Sequence, residues 1–279
     1  MHVGITTLSD NSADFGFLAE WGLSLLIDID GFKVLMDTGM GVSTVHNARL
    51  LDVDFTGLDA IVLSHGHIDH TGGLMGVLRL SGPKKVVAHP DIWKPRFSSR
   101  SHPGGRGIGT PYSRKEYERN GASFVLSRDP VRLAENVITS GEVPMRTEYE
   151  KLDEGLFYEE SPGERRPDPF NDDLSLAIKT GRGLIVVLGC AHRGPVNIMR
   201  HLCKVTGEDH VYGVVGGTHL VRADDERIQN TINDFKELKI RKVVCSHCTG
   251  FKAAAMMADA FGDRFIFNKA GMRLVFDIE

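Results

Sequence analysis

The sequence predicts an α/β (α+β) chain built as an αββα sandwich, two mixed β-sheets packed face to face with helices outside. Three observations carry that prediction. Short apolar runs of strand length alternate with segments of helical spacing along the chain. Two glycine-bearing turns, Asp28-Ile29-Asp30-Gly31 and Gly181-Arg182-Gly183, join neighbouring apolar runs as hairpins. Histidine-bearing turns follow strand-like runs in both halves, so a site drawing on both halves makes residues 1–279 a single domain.

Taken in order, residues 23–29 and 32–36 form the first predicted hairpin, and 60–63 and 85–88 are further strands. Between the latter two, Gly72 and Gly73 open a helix over 74–80. In the second half, 174–179 and 184–188 flank the second hairpin, 211–215, 242–245 and 273–276 are strands, and 195–204, 224–238 and 251–261 have helical character. The segment at about 93–120 breaks this regularity. From Arg96 to Pro111 it combines basic residues with turn formers and little apolar periodicity, and long irregular segments inside a compact domain are often functional. Arg96, Arg100 and Arg106 are candidate substrate-binding residues, because guanidinium offers paired donors to phosphate or carboxylate. A solvated surface loop is the competing reading. Residues 161–169 read as a connector between the halves.

Composition sets bounds. The 279 residues are 41% hydrophobic and 25% charged, ordinary for a globular protein, and the formal net charge of -4 gives no general reason to expect nucleic acid or an anionic membrane as partner. The expected partner is a small anionic molecule. No run reaches the roughly 18 apolar residues of a membrane span, and Met1-His2-Val3-Gly4-Ile5 leads into a strand without the pattern of a signal peptide. A cytoplasmic location is the expectation. Cys190, Cys203, Cys245 and Cys248 all fall in the second half and read as reduced thiols.

The chemistry concentrates in Leu63-Ser64-His65-Gly66-His67-Ile68-Asp69-His70-Thr71-Gly72-Gly73-Leu74, between a strand end and a helix start. Four potential ligands in six positions are read as half of a two-metal site: His65 and His67 on one ion, Asp69 and His70 turned toward its neighbour. A polar loop of solvated histidines is the bland alternative. His192 and His247 occupy the same strand-to-helix context and are candidate ligands. Nitrogen and carboxylate donors suit two divalent ions, zinc first, with manganese or iron able to use the same set. Asp37, at a strand end, is expected to orient a ligand histidine. Asp69 is the leading catalytic candidate, able to bind metal and accept a hydrogen bond from metal-bound water. Cys245-Ser246-His247-Cys248 has Cys-x-x-Cys spacing, but a second cysteine pair and a thioredoxin-like context are both missing.

His-x-His-x-Asp-His resembles the signature of the metallo-β-lactamase superfamily, and Val34-Leu35-Met36-Asp37-Thr38-Gly39 resembles its early strand ending in Asp. Leu8-Ser9-Asp10-Asn11, Ala19-Glu20-Trp21-Gly22-Leu23-Ser24, Gly189-Cys190-Ala191-His192, Gly216-Gly217-Thr218-His219-Leu220 and His247-Cys248-Thr249-Gly250 are similar to its dihydropteroate-synthase-like branch. That branch includes archaeal proteins assigned to joining a pterin to a ribofuranosyl aminobenzene phosphate. The resemblance places Asn11 and Glu20 in the pocket, and it implies a bridging aspartate for which no Gly-Asp motif appears. Cys190 occupies the corresponding strand end and is a candidate bridge, with an inert buried thiol as the alternative. His219 is a candidate ligand or proton donor.

The expected function is hydrolysis of a small phosphate- or carboxylate-bearing substrate by a hydroxide held between two cations, with Asp69 orienting it and His219 stabilising the leaving group or developing oxyanion. The alternatives are a transferase condensing a dihydropterin with a ribofuranosyl aminobenzene phosphate, and a noncatalytic metal-binding module.

Overall fold

The computed structural model describes residues 1–100 and 105–278. Two seven-stranded sheets form its centre. The first runs, in spatial order, Arg273–Asp277, His2–Ser9, Ser24–Ile29, Phe32–Met36, Ala60–Val62, Lys84–Ala88 and Ala122–Leu126; the second runs Phe265–Phe267, Lys242–Cys245, Val211–Gly216, Gly183–Leu188, Ser175–Thr180, Val137–Thr139 and Arg132–Ala134. Period-two alternation assigns the layers. In Gly183–Leu188, Ile185 and Val187 pack between the sheets with Val34, Met36, Val62 and Val87 of the first sheet, while Leu184, Val186 and Leu188 face the helices Pro195–Thr206, Asp225–Glu237 and Phe251–Phe261. On the far side, Leu35, Ile61, Leu63 and Val86 pack against Ser43–Leu50 and Leu74–Ser81. The expected αββα layering is present. Each fully buried Val, Leu or Ile in these layers contributes about 1.5 to 3 kcal/mol. Among the described residues, no helix is long and apolar enough to cross a membrane.

The elements form where apolar period and punctuation agree. Phe32–Met36, Lys242–Cys245 and Phe251–Phe261 have the predicted bounds, and Pro195 opens its helix at the first position, where the missing N–H costs nothing. Residues 161–169 differ from expectation. Leu156–Ser161 and Glu164–Pro167 make a hairpin, and Arg96–Ser98 and Arg106–Gly107 join it in a four-stranded sheet. The supposed connector is therefore paired strand, and the irregular segment contributes two strands to the same sheet. Its central residues 101–104 lie outside the described residues. Ser113–Glu116 forms a reciprocal capping box that starts a helix at Arg114–Arg119 within the same segment.

Two predicted substrate contacts are corrected here. Arg96 is buried, its Nε 2.7 Å from Asp168 Oδ2 and its Nη2 2.6 Å from Asp172 Oδ1. Its charge is consumed inside the protein, so no substrate reaches it. Through Asp172, whose Oδ2 accepts the Gly66 N–H at 2.9 Å, it braces the turn that carries His65 and His67. Glu20 accepts the N–H groups of Met40 and Gly41 at 2.9 and 3.2 Å on one oxygen and of Val42 at 3.0 Å on the other. It ties down the loop before Ser43–Leu50 rather than lining a pocket.

Arg96→Ala strands two buried carboxylates, and urea unfolding should show a loss of about 3 to 5 kcal/mol. Arg106→Ala, at an exposed position, should stay within about 0.5 kcal/mol of the wild type.

Candidate metal centre

Strand carboxyl ends converge at one edge of the sandwich, and the chemistry collects there. His65 follows Ala60–Val62, Cys190 and His192 follow Gly183–Leu188, His219 follows Val211–Gly216, and His247 follows Lys242–Cys245. The last three strands are adjacent and parallel, so their end turns stand side by side.

The donors form two trios. His65 Nε2 lies 3.0 Å from His67 Nδ1 and 3.2 Å from His192 Nε2. His70 Nε2 lies 3.2 Å from His247 Nε2, and Asp69 Oδ2 is 3.6 and 3.5 Å from these two nitrogens. Cys190 Sγ sits 3.1 Å from His70 Nε2 and within 4.8 Å of donors in both trios. A tetrahedral ion with ligands at about 2.0 to 2.1 Å needs donors roughly 3.3 Å apart. The donor set fits.

Protonation supports the same conclusion for the first trio. Burial pulls His65, His67 and His192 well below the usual imidazole range, and the charges of neighbouring histidines and Arg96 add to it. Three neutral rings thus point nitrogen at nitrogen, an arrangement that a shared cation relieves. For His70, burial acts downward, but Asp37 and Asp69 outweigh it and raise the group to about 9. Burial, with the contact to Cys248, raises the Cys190 thiol.

The supporting contacts set which nitrogen faces inward. Asp37 Oδ2 lies 2.7 Å from His70 Nδ1 and accepts the Ser64 hydroxyl at 2.7 Å, and that hydroxyl oxygen is 2.9 Å from His65 Nδ1. Asn11 Oδ1 is 2.9 Å from His247 Nδ1, while its amide donates to the His247 carbonyl at 3.2 Å. Asn11 therefore orients a ring, a correction to its expected place against substrate. Phe170 stacks on His192 with centroids 3.9 Å apart and planes at 3°. Asp37, Ala191, His219 and His247 all hold positive φ between 51 and 61°, backbone strain gathered at the turns that aim these groups.

Over the trios opens a cavity of about 340 Å³. Arg100, Arg106 and Arg222 form its cationic side, and Trp21, Ile108 and Leu156 contribute apolar wall. Arg100 is ion-paired with Asp153, and both burial and the charge of Arg222 depress its pKa, so the two guanidinium groups share one field. His219 lines the cavity, with Nε2 3.3 Å from Asp153 Oδ2. Arg222, Asp153 and Phe170 escaped the sequence reading, and Cys248 entered it only through its Cys-x-x-Cys spacing and its place beside His247. Arg222 had one signal, its place three residues after His219; Asp153 and Phe170 had none separable from ordinary polarity or burial.

Comparison with known proteins agrees with this geometry. The profile of the Metallo-beta-lactamase superfamily matches residues 22–247. The 7,8-dihydropterin-6-methyl-4-(beta-D-ribofuranosyl)-aminobenzene-5'-phosphate synthase of Methanocaldococcus jannaschii is 36% identical over 99% of this chain and 97% of its own length. The crystal structure of Tm1679, described as a metal-dependent hydrolase of the beta-lactamase superfamily, superposes with a TM-score of 0.82 at 32% identity, covering 98% of each chain. Zinc-bound PqqB from Methylobacterium extorquens shares the fold at a TM-score of 0.56 and 14% identity, over 98% of this chain and 99% of its own. With two donor trios at the carboxyl edge of an αββα sandwich and a family match across most of its length, the chain belongs to the metallo-β-lactamase superfamily.

Proposed function

We propose that this chain is a group-transfer enzyme joining a dihydropterin to an aminobenzene that bears a ribofuranosyl phosphate, with two divalent ions, zinc or else manganese or iron, at the paired trios. The observation that carries the reading is the match to the Methanocaldococcus synthase across nearly the whole of both proteins. The cavity supports it. Its arginines suit a phosphate, its apolar wall suits flat aromatic rings, and His67, His192, Asp69 and His247 of the two trios line it.

His65, His67 and His192 would hold one ion and Asp69, His70 and His247 the other; such a pair supplies Lewis acidity toward the leaving group and lowers the pKa of a bound acceptor. The chain's own residues do the rest. Arg100 and Arg222 fix the phosphate and so set the distance between the aminobenzene and the centre. Asp69, which lines the cavity, orients the attacking group. His219 lines the cavity with Nε2 on Asp153, and this ring gives or takes the proton. A second reading is hydrolysis of a small anionic ester by the same groups with water as acceptor, favoured by the description of Tm1679.

Incubating metal-loaded protein with both organic substrates, with each alone and with a panel of phosphate esters separates the two by mass spectrometry. Condensed product that requires both partners is expected, whereas turnover of single esters without condensation overturns the transferase reading. Arg222→Ala should raise KM for the phosphate-bearing substrate about 10- to 100-fold, the loss of one charge-assisted contact, with a smaller change in kcat. Asp37→Asn should weaken metal binding about 10- to 100-fold, read by elemental analysis after dialysis against a graded chelator.

A further inference from the structure

Beside the two trios lies a third group of donors. Cys190 Sγ, Cys248 Sγ and a nitrogen of His219 lie within 4.8 Å of one another, and all three residues line the cavity. Cys190 also falls among the donors of both trios, whereas Cys248 and His219 belong to neither. The three come from the ends of adjacent parallel strands, Gly183–Leu188, Val211–Gly216 and Lys242–Cys245, so sheet register brings them together.

The backbone is shaped around the sulfur. A Cβ on Gly217 would stand 2.6 Å from Cys248 Sγ and 2.6 Å from the Gly189 carbonyl, so only glycine admits this approach. His219, held at a φ of 51°, turns its own N–H onto Cys248 Sγ at 3.3 Å. Asp153 engages Nε2 of the same ring, and Nδ1 is left buried with no hydrogen-bond partner. A carboxylate behind one nitrogen and an unpartnered lone pair on the other is how a ligating imidazole is prepared. Cys245, the other cysteine of the Cys-x-x-Cys spacing, faces the helical layer and contacts Met257. The Cys-x-x-Cys spacing therefore does not mark the pair: the sulfur within 4.8 Å of Cys248 Sγ is that of Cys190, 58 residues earlier, whose carbonyl also accepts from the Cys248 thiol at 3.3 Å.

We propose that Cys190, Cys248 and His219 form a third, sulfur-rich metal position that takes a thiophilic divalent ion such as zinc and, by occupying His219, inhibits the enzyme. Thiolate donors give it a softer preference than the nitrogen and oxygen trios. Binding is balanced: each thiol releases one proton, and the two thiolate charges offset those of the ion. The inhibitory consequence rests on the assignment of proton transfer to His219; the metal position does not.

Cobalt titration of the chelator-stripped full chain tests it. Wild type should take up a third equivalent accompanied by a thiolate-to-cobalt charge-transfer band in the near ultraviolet. Cys248→Ser should lose that band and that equivalent while keeping the first two, and Asp153→Asn should weaken only the third, about 10- to 100-fold. Should Cys248→Ser unfold by circular dichroism, His219→Gln gives the same comparison. A wild-type titration without a charge-transfer band overturns the proposal. So does a band undiminished in Cys248→Ser or in His219→Gln, which makes Cys190 a ligand of the paired ions alone. Uptake of fewer than two equivalents counts against the binuclear reading instead, and the band with its loss in Cys248→Ser still decides the third position. In turnover, inhibition by a third equivalent of zinc should vanish in Cys248→Ser relative to its own two-ion rate.

Discussion

Asp37 is fully buried at the end of Phe32–Met36, its two oxygens shared among the Ser64 amide, the Ser64 hydroxyl and His70 Nδ1. A buried carboxylate without such partners would be costly, so the loop that supplies them is held as firmly as the carboxylate itself. Through Ser64 the constraint passes to His65, and through His70 to the second trio. One residue of the first sheet thereby sets the inward nitrogen in both groups of donors.

The rest of the site repeats this logic with other materials. Arg96, between Asp168 and Asp172, braces Gly66 from the opposite side. Gly66 itself admits no side chain, since a Cβ would meet the Arg96 guanidinium and the Ile92 carbonyl. Asn11 fixes His247, and the Phe170 ring fixes His192 by stacking rather than by a hydrogen bond. Rigid strands deliver the donors, and buried polar contacts aim them. Little motion is then needed to form the centre when ions bind, which favours affinity and geometric selectivity.

Legibility in the sequence followed element length and burial. Strands buried on both faces, such as Gly183–Leu188, announce themselves as unbroken apolar runs, and the helices with one apolar stripe do so by their period. The small sheet did not, because Arg96–Ser98 and Arg106–Gly107 are too short to carry a period and Glu164–Pro167 is exposed and charged. Arg96 shows the deeper limit. In the chain it is one of three arginines in a turn-rich segment, and only the arrival of Asp168 and Asp172, more than 70 residues later, separates it from Arg100 and Arg106.

By itself the sequence determined the layered fold, the His-x-His-x-Asp-His turn and the strand-end positions of His192 and His247, since each depends on periodicity or spacing within a few residues. Only the tertiary structure decided that Asn11 and Glu20 hold protein rather than substrate, that Arg222 joins Arg100 at the cavity, and that Cys190 stands between both trios and beside Cys248. These are relations between side chains on separate strands. Register and sheet order, which no local pattern encodes, bring them within bonding distance.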